Sequence, residues 1–146
     1  MMNRSALALH VFVALLMAIS LNAYASSISI FNQLGGLNTV KSLSSSILKG
    51  AAGDSRTSGL FSGKDMGELT SKLSGQICSM TGGDCAAPLT KGQITAGAKK
   101  LTPAQSNALS DSFSKALAEL KSSPAVKAVL NKTLGPSIGG ILGGLL

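Results

Sequence analysis

Among its 146 residues the sequence has no tryptophan, one tyrosine and one histidine. Acids are also scarce, six against thirteen Lys and Arg, and there are two cysteines. Each shortage removes a kind of chemistry. Both Tyr24 and His10 fall in the first 25 residues, so the remainder has no imidazole to act as a general base or bind a metal. Asp54, Asp65, Glu68, Asp84, Asp111 and Glu119 are spread along the chain, and Asp65/Glu68 is the one close pair. That pair sits where a helix is expected to begin, and acids there cap the helix and complement its dipole. Nothing resembles a phosphate-binding loop. The spacing Ser-x-x-Lys occurs twice, at Ser46–Lys49 and Ser112–Lys115, without the companion motifs of the acyl-transfer enzymes that use it. No enzymatic activity is expected.

What is present begins with a leader. Residues 1–25 read as a cleaved signal peptide, with Arg4 ahead of an apolar run Ala6–Leu21 and a small-x-small site at Ala23-Tyr24-Ala25. The run is shorter than the ~20 apolar residues of a spanning helix. The reading is therefore a periplasmic or secreted protein starting at Ser26. Without Arg4, twelve basic residues face six acids. They are scattered, Lys99-Lys100 being the one adjacent pair, with no aromatics interleaved, which fits a solvated basic surface and not a nucleic-acid interface. Cys78 and Cys85 flank Gly82-Gly83 in the stretch QICSMTGGDC. Two cysteines in an exported chain imply a disulfide. Closing a loop this short stabilises by about 2.5 kcal/mol in the chain-entropy model. The spacing is not CxxC, and no further Cys or His is available to complete a metal site.

Apolar residues recur at spacings of three and four. Leu37, Val40, Leu43, Ile47 and Leu48 mark a first long helix, followed by a turn-rich break at Gly50–Gly59. Asp65 caps a second helix bearing Met66, Leu69, Leu73 and Ile77, which stops at the double glycine. Gly92–Lys100 suggests one or two helical turns. Thr102, Pro103 and Gln105 form a start signal for a helix carrying Ala108, Leu109, Phe113, Ala116, Leu117 and Leu120. Ser123-Pro124 begins a last helix with Val126, Val129, Leu130 and Leu134, closed by Gly135-Pro136. No segment alternates with period two. The expected architecture is a single all-α domain over 26–134, followed by an apolar Gly-rich tail over 135–146.

That tail contains Ile138, Gly139, Gly140, Ile141, Leu142, Gly143, Gly144, Leu145 and Leu146. Its GxxxG spacings allow close helix approach, yet it is too short to span a bilayer. It reads as a frayed apolar end, with docking in a groove, self-association or weak membrane contact as the functional alternatives.

In order, Ile30-Phe31-Asn32-Gln33-Leu34-Gly35-Gly36, a helix, Asp54-Ser55-Arg56, Leu60-Phe61, the Met66–Ile77 helix, the cysteines around Gly82-Gly83, and the Leu101-Thr102 cap resemble the group 1 bacterial truncated globins. The resemblance runs over Ile30–Leu120 and leaves out the C-terminal helix and tail. It implies a compact helical fold around haem, lined here by Leu48, Phe61, Leu73 and Ile77. It also implies a ligating histidine within Thr95–Lys100, where this chain has none, and a pocket tyrosine where it has Leu48. Lys99 is the one candidate axial donor in that segment. The expectation is a truncated-globin-like domain without cofactor, a binding or structural module. The alternative is a haem protein for oxygen or nitric oxide with an unusual ligand.

Overall fold

The computed structural model describes residues 29–146, so the signal-peptide reading of 1–25 lies outside them. Among the described residues there are helices and turns and no strand: α1 (Ile30–Leu34), α2 (Leu37–Gly53), α3 (Ser58–Phe61), α4 (Met66–Met80), α5 (Lys91–Lys99), α6 (Pro103–Glu119), α7 (Pro124–Leu134), a 3-10 turn (Gly135–Ser137) and α8 (Ile138–Leu145).

Most helix ends follow from local chemistry. Ser29 Oγ accepts from the Asn32 N–H at 3.3 Å to start α1. Gly35 and Gly36, at φ +99° and +85°, stop it, because side-chain-bearing residues rarely adopt that conformation. Asp65 caps α4 through the Glu68 N–H at 3.0 Å. Thr102 and Gln105 form a reciprocal capping box with Pro103 in the first turn of α6. Ser123 Oγ caps α7 by accepting from the Val126 N–H, ahead of Pro124.

Several boundaries depart from expectation. α2 continues through Gly50 to Gly53. Ala51 is fully buried, and Gly50 lies close enough to Ser112 of α6 that a Cβ would sit 3.3 Å away. Packing against α6 therefore carries the helix past a residue that intrinsically disfavours it. α5 begins earlier than expected and spans nine residues, because Thr90 and Gln93 make a second capping box. Leu37 and Val129, expected on buried stripes, are 39% and 41% exposed.

α2 packs against both α4 and α6. Val40, Leu43, Ile47 and Leu48 of α2, Leu69, Leu73 and Ile77 of α4, and Leu109 and Phe113 of α6 form one continuous core. At the C-terminus, Pro136 lacks an amide N–H and so interrupts the helical ladder, but the chain re-enters α-helix after one 3-10 turn. Residues 135–146 are thus not a frayed end. Ile138, Ile141 and Leu142 are fully buried and belong to the same core as α2, α4 and α6. Spacings of three and four put them on one aliphatic stripe, with the glycines on the other faces.

Candidate functional site

The residues expected to line an internal site are brought together. Leu48, Phe61, Leu73 and Ile77 are 1%, 6%, 0% and 0% exposed. They share one apolar cluster with Ile138, Ile141 and Leu142, and α8 packs on α5, α6 and α4.

The seating of α8 depends on glycine. A Cβ on Gly97 of α5 would collide with the backbone of Gly140 and Gly144, and one on Gly143 would collide with the Gly97 carbonyl. A Cβ on Gly140 would strike the Ile94 carbonyl. Two helix backbones approach here as closely as the GxxxG spacing allows. At the far end, Lys64 Nζ donates to the Leu146 carbonyl at 2.9 Å. This ties Leu146 to the loop just before α4.

The polar candidates lie elsewhere. Lys99 is exposed on the last turn of α5, where a cation complements the helix dipole. Met66 and Met80 are half-buried at the two ends of α4. Cys78 and Cys85 are joined in a disulfide. Gly82 supplies the positive φ of that turn. Gly83 contributes room, since a Cβ there would crowd Cys78 Sγ and the Phe31 ring. Among the described residues no group of three or more His, Cys, Asp or Glu could hold a metal ion, and no helix is long and apolar enough to cross a membrane.

The Ser-x-x-Lys pairs do not form sites. Ser112 is buried against Gly50 while Lys115 is exposed. Ser46 lines an open groove of about 400 Å³ with Asn38, Ser42, Glu119 and Lys121, while Lys49 is exposed. Glu68 pairs with Lys72 at 2.6 Å. Sequence reading missed the Arg56 cluster. Arg56 Nη2 bonds Asp54 Oδ2 at 2.7 Å and Asp111 Oδ2 at 2.9 Å, joining the turn after α2 to α6. Hydrogen bonds from the Arg56 side chain and N–H, with its charge, hold the Asp54 carboxyl at about 2.

The solved structures that this chain resembles are truncated haemoglobins. The Fe(III) form of truncated haemoglobin from Tetrahymena pyriformis matches with a TM-score of 0.64 and 22% identity, over 79% of this chain and 98% of that one. The 2/2 haemoglobin from Synechococcus sp. PCC 7002, in the cyanomet state with covalently attached haem, matches with a TM-score of 0.66 and 19% identity, over 78% and 98%. No protein-family model and no curated protein matches the sequence. At these identities the likeness establishes an all-α, truncated-globin-like fold.

Proposed function

We propose that this chain is a globin-fold domain that works without haem, as an exported structural or binding module and not as an oxygen carrier or enzyme. One observation carries the reading. The apolar residues Leu48, Phe61, Leu73 and Ile77 are buried by the chain's own atoms, and α8 packs against α4, α5 and α6. Haem does not fit these residues. Its iron needs an axial His, Cys, Met or Tyr. Residues 26–146 have no His or Tyr, both cysteines are bonded, Met66 and Met80 stand at the opposite ends of α4, and Lys99 is exposed. An export role suits the Cys78–Cys85 bridge, which would persist in an oxidising compartment.

The test is an optical titration of the purified chain, from Ser26 onward, with haem. The expected result is a broad spectrum that does not saturate. A sharp Soret band saturating at one equivalent would overturn the reading, and its loss in Lys99→Ala would identify the donor.

A further inference from the structure

A second element rests on the disulfide. Thr81, Gly82 and Gly83 lie inside the ring that Cys78–Cys85 closes, and all three meet the start of α1. The Phe31 N–H donates to the Thr81 carbonyl at 2.9 Å. A Cβ on Gly82 would fall 2.9 Å from Ser29 Cβ, so the turn lies flush against the residue that caps α1. A Cβ on Gly83 would meet both Cys78 Sγ and the Phe31 ring, which makes sulfur and ring neighbours across one glycine. Sulfur beside an aromatic ring is a favourable contact. A five-residue helix has no stability of its own, so α1 keeps its place through contacts of this kind. Its other end is anchored separately. Leu34 is buried in the core, and α1 also touches α2 and α7.

We propose that the Cys78–Cys85 bridge is a redox latch for the Ser29–Phe31 end of α1. Oxidised, the ring holds the turn in the shape that seats Ser29 and Phe31. Reduced, residues 81–83 regain backbone freedom, and that end of α1 detaches while Leu34 stays buried. The two sulfurs differ in access. Cys78 is fully buried and Cys85 half-buried, and thiol–disulfide exchange depends on which sulfur can be reached. A thiolate of a dithiol reductant therefore attacks Cys85 Sγ, the S–S bond breaks, and Cys78 leaves as a thiolate and takes up a proton. The second thiol of the reductant then displaces Cys85, and the reductant ends as its own disulfide. Detachment uncovers the half-buried Phe31 ring, so redox state controls an apolar surface. The coupling is reciprocal: the factor by which reduction weakens α1 docking is the factor by which loss of docking weakens the bridge.

The experiment pairs NMR-detected amide exchange with a redox titration in oxidised and reduced dithiothreitol. Reduction of the intact chain, or Cys85→Ser, should speed exchange of the Phe31 N–H about tenfold, while amides of Leu109–Leu117 in α6 stay protected. In the reverse direction, Phe31→Ala should shift the bridge toward reduction about tenfold. Phe31→Leu should shift it less, and carries the test if the alanine variant fails to fold. Thr102→Ala, which removes the α6 cap instead, should leave the redox equilibrium unchanged. Phe31 exchange unmoved by reduction would overturn the proposal. So would loss of α6 protection in step with it, which would make the bridge a staple of the whole fold. A Phe31→Ala chain with the parent's redox equilibrium would overturn it as well.

Discussion

Gly97 and Gly143 meet backbone to backbone: a Cβ added to Gly143 would overlap the Gly97 carbonyl, and one added to Gly97 would come within 2.9 Å of the Gly143 carbonyl carbon. The contact fixes how closely α5 and α8 approach, and through α8 it fixes how the interior is filled. Gly97→Ala should destabilise the protein by about 2 kcal/mol, because the crowding (about 1–3 kcal/mol) outweighs the gain in helix propensity. Gly92→Ala is the control. It lies on the same helix, where a Cβ would meet nothing closer than Thr90 Oγ1 at 3.9 Å. Urea denaturation should show the first variant losing stability and the second unchanged or slightly improved. Equal effects from the two would remove the close-packing account.

How much of this was legible in sequence differs between the two ends of the chain. Helix starts at Asp65, Thr102 and Ser123 were readable because a cap is local: the side chain and the amide it accepts from are three residues apart. That Leu48, Phe61, Leu73 and Ile77 would be buried was readable from apolar residues at helical spacing. The placement of Ile138–Leu145 was not. Its GxxxG spacing announced a close helix partner, but the partner is Gly97, some forty residues earlier in an unremarkable small-residue helix. Arg56 was missed for the same reason. Its second carboxylate, Asp111, is 55 residues away, and no one-dimensional spacing marks a pair that only the α2–α6 crossing creates. The Thr90–Gln93 box, by contrast, was a local signal that could have been found.

Ser44 gives a test with the opposite sign. Its side chain is fully buried on α2, and its Oγ has no hydrogen-bond partner. An unsatisfied buried hydroxyl costs about 1–3 kcal/mol, and alanine is the better helix former. Ser44→Ala should therefore stabilise, by about 1 kcal/mol once the small void is allowed for. A thermal midpoint several degrees higher would bear this out. A lower midpoint would mean that the hydroxyl has a partner in solution.

The bridge between Cys78 and Cys85 ties the end of α4 to the loop leading to α5. Cys78 is itself part of the core, so Cys78→Ala would mix a packing loss with loss of the cross-link. Cys85→Ser, or reduction of the intact chain, is the cleaner perturbation. The loss should be about 2.5 kcal/mol, lowering the thermal midpoint by on the order of 10 °C. Thiol titration of the unreduced, denatured chain should find none. Two titratable thiols with unchanged melting would rule the bridge out.

Asp54 makes the fold sensitive to acid. Hydrogen bonds from the Arg56 side chain, then from the Arg56 N–H, then the guanidinium charge bring its carboxyl down from 3.8 to about 2. Asp111 shares the same guanidinium from the α6 side, and the Lys115 ammonium adds a weaker attraction. The folded state therefore binds the ionised form of Asp54 more tightly than the unfolded chain does. Its contribution is complete above about pH 4 and is lost as pH falls through about 2. Asp54→Asn removes the titrating group and should flatten stability against pH across that window, while Glu68→Gln, at an exposed i,i+4 pair with Lys72, should leave the slope nearly as it was. Urea midpoints measured at half-unit steps from pH 5 to about pH 2 would show the difference, since stability rises with pH wherever the unfolded state holds more protons. An Asp54→Asn variant with the same slope as the parent would mean that the turn holding α2 to α6 does not depend on this carboxylate.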